Sequence, residues 1–375
     1  MTRVYLHIGA PKTGTTYVQA VLFRNRDRLR AAGVLYPGTS ADAHFRATLD
    51  VRGLTFGGYD DPATDGAWRK LVKTVRDWPG ESVVLSHELL GGSPTETIES
   101  LLADLAHAEV HVVCTARDLG RQVPAVWQEM VKNRRDLTYE TYLAQVTGAR
   151  RGRGAKVFWR QQDVAGVLSR WSQQIPPHRV HLVTVPPTGS ASGLLWVRFC
   201  AAVGLDAEAY DTEAPRTNAS LGLAEGELLR RVNESLGDRL EWPDHARLVK
   251  GRLAERLLSQ RPGAGRAEVP DELRGWFDAA AGELVADLAG RGYDVVGDLD
   301  DLRPRYGKAG AAAAPTERAV ADAAAYALAE LLVEQSRRRR GGTGRLLTRA
   351  SRLPWLRAGW LPSGWRRRVQ RFLPH

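Results

Sequence analysis

Lys12 stands in a loop bounded by Gly9 and Gly14, with Thr13 beside it and Thr15 and Thr16 directly after. One ammonium, three hydroxyls and two glycines within eight residues are the material of an anion cradle. The apolar run Val4 to Ile8 before the loop reads as a buried strand, and a helical pattern starts at Thr15. The loop therefore joins the end of a strand to the start of a helix, where backbone N–H groups and the positive helix end converge on an anion.

Gly9 and Gly14 have the spacing of a nucleotide-binding P-loop, but that loop needs Lys directly after its second glycine and then Ser or Thr for Mg²⁺. Here Thr15 occupies the lysine position, and Lys12 lies inside the loop. The string Pro11-Lys12-Thr13-Gly14-Thr15-Thr16 resembles the 5′-phosphosulfate-binding loop of sulfotransferases that use 3′-phosphoadenosine 5′-phosphosulfate (PAPS). The resemblance implies a P-loop-like α/β fold of bacterial sulfotransferase type, spanning roughly residues 1 to 210. It implies that Lys12 and the loop N–H groups stabilise charge growing on the leaving 5′-phosphate oxygen. Thr13, Thr15 and Thr16 would add donors, and no metal is required. Tyr17 falls where the family carries an aromatic residue against the adenine; packing of a helix-start tyrosine on the core is the other reading.

A second strand-like run ends at Cys114-Thr115-Ala116-Arg117-Asp118. A guanidinium at a sheet edge can bracket a phosphate with two parallel hydrogen bonds. In the sulfotransferases an Arg in this place grips the donor 3′-phosphate, and Arg117 matches it. The family serine eight residues further on is Ala125 here, with Gln128 and Lys132 as substitutes one turn further on. Helix capping and surface pairing are the alternative roles for Arg117 and Asp118.

Sulfuryl transfer needs a base at the acceptor hydroxyl. The run ending at Leu85-Ser86-His87-Glu88 places His87 and Glu88 at the same sheet edge, and family members use either residue type. Neighbours on an extended chain point opposite ways, so one of the two should face the site, with Glu88 favoured, unless a turn begins at once. His44, after Tyr36-Pro37-Gly38, is a third candidate. Arg216, Asn218 and Ser220 read first as a helix cap and second as ligand contacts. No His or Cys spacing fits a metal site.

These residues need a frame. Strands are expected at Val4 to Ile8, Ser82 to Ser86, Val110 to Thr115 and Val180 to Val185, with helices between them at Thr16 to Ala31, Thr95 to Ala106 and Val164 to Gln174. That alternation predicts an α/β fold with a parallel sheet flanked by helices, its ligand beyond the carboxyl ends of the strands. After Leu205 the pattern is almost wholly helical: Ala224 to Leu236, His245 to Leu258, Asp271 to Ala289 and Ala319 to Ser336. The expected divisions are 1–306, an α/β domain with helical C-terminal additions; 307–336, an Ala/Gly linker and helix; and 337–375, a basic tail.

The chain has 375 residues and a formal charge of +10, carried by 53 basic and 43 acidic side chains. Twelve arginines and no acid fall in 337–375, so the remainder is close to neutral. Only 7 of the basic residues are lysine. Arginines beside Trp355, Trp360, Trp365 and several leucines make the tail a candidate for an anionic membrane surface. Nucleic acid is disfavoured, because no reading module accompanies the charge. Two cysteines, Cys114 and Cys200, and a strand by residue 4 with no signal segment before it predict a cytoplasmic protein.

The resemblance thus implies an enzyme moving a sulfuryl group from PAPS to a hydroxyl or amine of a small-molecule, carbohydrate or lipid acceptor. Basic stretches at Arg134-Arg135 and at Arg150 to Arg153 mildly favour an anionic acceptor. The rivals are a kinase-like phosphotransferase, for which Asp118 would be the metal ligand, and a nucleotide-binding module without catalysis.

Overall fold

The structure, a computed structural model, describes residues 1–148, 153–213, 220–307 and 310–350. The chain divides into a unit Met1–Ala323, which carries the sheet and the site, and a second unit from Ala324 onward. Six strands form one sheet: β1 Arg3–His7, β2 Val34–Leu35, β3 Ser82–Ser86, β4 Glu109–Ala116, β5 Val180–Thr184 and β6 Asp294–Val296. Their order is β2-β3-β1-β4-β5-β6, and every neighbouring pair is parallel. The four strands expected from β-branched runs are present within about one residue at each end. The two edge strands, β2 and β6, have two and three residues and are too short to carry a periodic signal. Strand β6 falls in the region that the sequence pattern reads as almost wholly helical, between two of its expected helices.

Apolar residues fill both faces. Leu6, Val83, Val112, Cys114 and Leu182 pack with Trp171 and Leu168 on one side. On the other, Tyr5, Val84, Val113 and Val183 pack with Val18, Leu22, Trp196 and Phe199. Central strands buried on two sides are near-continuous hydrophobic runs, as a parallel sheet demands. Cys114 and Cys200 are buried thiols, each pushed up to about 12 by burial.

Several expected helices are broken where a local group satisfies the backbone differently. The run Thr16 to Ala31 forms two helices, Thr15–Arg24 and Arg26–Ala31, because the Asn25 amide donates back to the Val21 carbonyl at 2.8 Å and to that of Asp211 at 2.8 Å. His245 to Leu258 is a short α-helix, Trp242–His245, running into a wide-turned π helix, Ala246–Leu257. The last helix begins at Glu317 and continues to Ala350, past the expected stop at Ser336. Residues 351–375, with the three tail tryptophans, lie outside the described residues. Among the described residues no helix is long and apolar enough to cross a membrane.

Beneath the loop the three central strands end in polar side chains that touch. His7 pairs in register with Ser86, and its Nδ1 lies 2.8 Å from the Ser86 hydroxyl. Its Nε2 is 3.3 Å from Thr115 Oγ1, which is 2.6 Å from Thr13 Oγ1. Gly9 closes over this chain. A Cβ there would fall 2.4 Å from Thr115 Oγ1, 2.8 Å from the Thr15 methyl and 2.9 Å from His7 Nε2. Gly9→Ala should therefore lower stability by about 1–3 kcal/mol, the usual size of overpacking a tight interior. Gly275→Ala, in a helix with open space at the new methyl, should be neutral or mildly stabilising. Denaturant midpoints of the two variants test this; equal midpoints would mean that the loop is not tightly packed.

Candidate functional site

The loop after β1 turns sharply. Lys12 has φ 70° and Gly14 has φ 89°, both left-handed. For a lysine this conformation is uncommon and must be held by its surroundings. Two backbone N–H bonds zip the loop to β4, from Ile8 to the Val113 carbonyl at 2.9 Å and from Ala10 to the Thr115 carbonyl at 3.0 Å. The side chain of Thr13 donates to the Ala10 carbonyl at 2.6 Å. The amides of Gln122 and Gln162 both donate to the Pro11 carbonyl, the latter at 3.2 Å. Gly14 serves as N-cap of the helix Thr15–Arg24 without a side chain that would take up its N–H groups. Those N–H groups are left for a ligand.

Above the loop opens a cavity of about 810 Å³. Pro11, Lys12, Gly14, Thr15, Thr16, Tyr17, His87, Glu88 and Arg117 all line it. Thr13 does not; it is 1 % exposed and serves the packing underneath. The sequence thus places nearly all its candidates at one end of the sheet, from β1, β3 and β4.

His87 and Glu88 both line the cavity because a tight turn, Glu88–Gly92, starts directly after β3. The His87 Nδ1 accepts the Leu89 N–H at 3.2 Å. A neutral ring accepting there carries its proton on Nε2. Burial pulls the His87 pKa down against the pull of Glu88, and Arg52 lowers it further. Glu88 accepts from the Gln19 amide at 3.1 Å through one oxygen. Burial alone would raise its carboxyl; His87, its own N–H and Gln19 outweigh that and hold it below its ordinary range. Arg52 fastens the turn through the carbonyls of Leu89 and, at 2.8 Å, Gly92.

His44 is turned away from the cavity. Its Nε2 is 2.7 Å from the Pro37 carbonyl and its Nδ1 accepts the Ser86 N–H at 3.0 Å. Burial lowers it to about 4, so it is a neutral internal strut rather than a base. Asp118 likewise serves structure: it caps the helix Leu119–Lys132, accepts the Arg121 N–H at 2.9 Å and pairs with the Arg121 guanidinium. Arg117 is held by the Gln122 side chain and the Arg121 carbonyl, both at 2.9 Å. Burial and Arg121 bring it down to about 10, with Asp118 opposing, so it is cationic at neutral pH.

Ala125 lines the cavity where a hydroxyl would be expected. Gln128 is fully engaged: it donates to the Leu221 carbonyl at 2.8 Å and accepts from Ser220 and the Leu221 N–H. Ser220 also lines the cavity, whereas Arg216 and Asn218 lie outside the described residues. Of the basic stretches, Arg135 reaches the cavity, and residues 149–152 lie outside the described residues.

Glu129 was not singled out from sequence, yet it organises the cations. Lys12 Nζ is 3.1 Å from one of its oxygens and Lys250 Nζ 2.8 Å from the other. Asn133 donates to it at 3.0 Å and accepts from Lys250 at 3.0 Å. Helical spacing from Ala125 through Gln128 to Glu129 and Lys132 puts these on one face and could have found it. Lys250 and an aromatic wall of Phe45, Phe56 and Trp242 are brought in by tertiary packing. Gly57 is needed for that wall, since a Cβ there would sit 2.1 Å from the Trp242 ring. Among the described residues no group of three metal-ligating side chains occurs.

No family model matches the sequence, and no curated protein matches it. Among solved structures the chain is similar to a sulfotransferase from Alicyclobacillus acidocaldarius, with 15 % identity and a TM-score of 0.38. The match covers 62 % of this chain and 92 % of that one. A likeness of this size carries no argument about chemistry, which rests on the residues of the cavity.

Burial would raise the Glu129 carboxyl, but Lys12 and then Lys250 and Lys132 hold it well below the usual carboxylate range. Folding thus favours the ionised form. The stability it contributes is present above the unfolded value of about 4.3 and is lost as pH falls below that. Glu129→Gln should lower stability by about 1–3 kcal/mol at neutral pH, the cost of leaving buried charge without its partner. The gap to wild type should narrow below about pH 4. Melting curves across pH 3 to 7 check it; a pH-independent gap would remove the charge from the explanation.

Proposed function

We propose that the protein is a PAPS-dependent sulfotransferase, acting on a hydroxyl or amine without a metal. The observation that carries the reading is the loop Pro11 to Thr16 opening, at the ends of parallel strands, into a cavity that also receives Arg117, His87 and Glu88. The reading gives each group a task. The uncapped N–H groups at Gly14 to Thr16 and the Lys12 ammonium face the 5′-phosphosulfate. Lys12 leaves Glu129 to do so, exchanging one carboxylate for an oxyanion of higher charge. Arg117, already oriented by Gln122 and the Arg121 carbonyl, takes the 3′-phosphate. Tyr17 lies at the start of the first helix, against the nucleoside.

In the transfer, the acceptor oxygen or nitrogen attacks sulfur in line, a bond to sulfur forms, and the bond from sulfur to the 5′-phosphate oxygen breaks. The acceptor proton passes to a base, and adenosine 3′,5′-bisphosphate leaves with the electron pair. Glu88 is the base. Its carboxylate is ionised at neutral pH, held by the Gln19 amide and its own backbone N–H, and it lines the cavity where an acceptor would meet it. His87 has its accepting nitrogen occupied by the Leu89 N–H, so its Nε2–H is a donor to the acceptor or to the transferring sulfonate. A kinase reading needs an acidic Mg²⁺ ligand, and Asp118 is spent on Arg121 and the helix cap.

Calorimetry should give tight binding of adenosine 3′,5′-bisphosphate by the wild type, weak binding of AMP, and no requirement for Mg²⁺. Lys12→Ala should lose donor affinity. Arg117→Ala should erase most of the preference for the bisphosphate over AMP, about 2–5 kcal/mol for a lost buried charge contact. Equal wild-type affinities, or turnover that consumes Mg²⁺-ATP, would overturn the reading.

With any acceptor that supports turnover, Glu88→Gln should cut kcat by about 10²–10⁴ while donor affinity stays near wild type. His87→Gln should cost less, because it removes a donor and not the base. Equal small losses in both variants would place the base elsewhere.

A further inference from the structure

Of the seven lysines in a chain that otherwise uses arginine, three line this one cavity: Lys12, Lys132 and Lys250. With 46 arginines available to the same surface, that concentration is not what composition alone would place there. Lysine offers a compact point charge that meets a single oxyanion, whereas arginine offers a flat fork. Five cationic side chains line the cavity against three carboxylates, so it carries unbalanced positive charge.

Lys132 is the exceptional member. It is 3 % exposed, and its ammonium makes no hydrogen bond to any described residue. Burial lowers its pKa, and Lys12 and Lys250 lower it further, against the pull of Glu129 and Glu255. Its stem is buried while the ammonium itself opens to the cavity, so its hydrogen bonds are left to water or to a bound anion. Glu255 also lines the cavity, but no hydrogen bond joins it to Lys132, and the other acceptors close by are taken. Glu129 is shared between Lys12 and Lys250, and the Asn133 side-chain oxygen already accepts from Lys250. The Gln128 amide is bound to Leu221 and Ser220. Lys250 reaches the same place from the helix Ala246–Leu257, a separate element anchored at its tip by Glu129 and Asn133.

We propose that Lys132 and Lys250 form a second oxyanion subsite of this cavity, taking a phosphate or sulfate group other than the one held at Lys12. Two sources share that chemistry: the donor 3′-phosphate, in place of the hydroxyl missing at Ala125, and an anionic group on the acceptor. The subsite itself stands on the lysines and does not require the transfer reaction.

The test compares wild type, Lys132→Met and Lys250→Met as full-length chains. Each is titrated with adenosine 3′,5′-bisphosphate, with AMP, and with inorganic phosphate and sulfate before and after saturation by the bisphosphate. Lys132→Met should melt at or above the wild-type temperature without anion, since a thioether on the same buried stem removes a cation that Lys12 and Lys250 repel. If the donor is the source, both variants bind the bisphosphate about 10- to 100-fold more weakly, the equivalent of one charged hydrogen bond, with AMP unchanged. An acceptor source instead leaves nucleotide affinities at wild type and abolishes the phosphate and sulfate response of the bisphosphate-saturated protein. If wild type binds no bisphosphate, the sulfotransferase reading fails, and loss of the inorganic-phosphate response in both variants still establishes the subsite. The proposal is overturned if both variants match wild type with every anion, or if Lys132→Met melts well below it.

Discussion

His7, Ser86 and Thr115 come from three adjacent parallel strands and meet in a place where no water is needed to satisfy them. The register brings His7 opposite Ser86, and the extension of β4 carries Thr115 alongside the start of the loop. Burial holds the His7 ring neutral, at about 4, so it can bridge two hydroxyls without the cost of a buried charge. Thr13 joins the chain from above and ties the loop to it. The shape of the loop, the left-handed turn at Lys12 and the emptiness required at Gly9 follow from that contact. A bulkier residue at any of these points would separate the loop from the sheet that aims it.

The second constraint is electrostatic. The loop supplies uncapped N–H groups and an ammonium, β4 supplies Arg117, and two further lysines arrive from helices. Without an anion these charges repel, and Glu129 is the group that reduces the cost by serving two lysines at once. On the proposed reading it is also the group that an incoming oxyanion displaces from Lys12. Binding would then be an exchange of one anion for another in a preorganised setting, which costs little reorganisation. The arrangement favours ligands with more charge than a single carboxylate, and it disfavours neutral ones.

How much of this was legible follows from range in sequence. The loop is contiguous, so six residues state its chemistry and its place on a strand-helix junction. The four longer strands announce themselves by β-branched content, and Arg117, His87 and Glu88 follow because strand ends in a parallel sheet share one edge. The role of His44 could not be read, because a loop histidine looks the same whether it faces solvent or bonds Pro37 and Ser86 across the fold. The edge strands were too short to leave a period. Glu129 was hidden by its ordinary position in an amphipathic helix, although Lys132 one turn later marks the same face. Lys250, Trp242 and Phe56 depend on how distant helices pack, and no local pattern encodes that.

The turn at Glu88 shows how a small local departure decides chemistry. Had β3 continued by one residue, alternation would have sent either His87 or Glu88 into the core. The His87 N–H still bonds the His7 carbonyl of β1 at 3.0 Å, and the chain bends only after it, with Arg52 gripping the carbonyls of Leu89 and Gly92. Gly91 permits the bend to lie against β1, where a Cβ would stand 2.9 Å from the Ile8 carbonyl. Both side chains then reach one cavity, and the bend also fixes their division of labour. The Leu89 N–H that closes the turn occupies His87 Nδ1, leaving a proton on its other nitrogen, while the Glu88 carboxylate is held ionised by the Gln19 amide and its own N–H. On the proposed reading, a backbone requirement of the turn makes His87 the donor and leaves the role of base to Glu88.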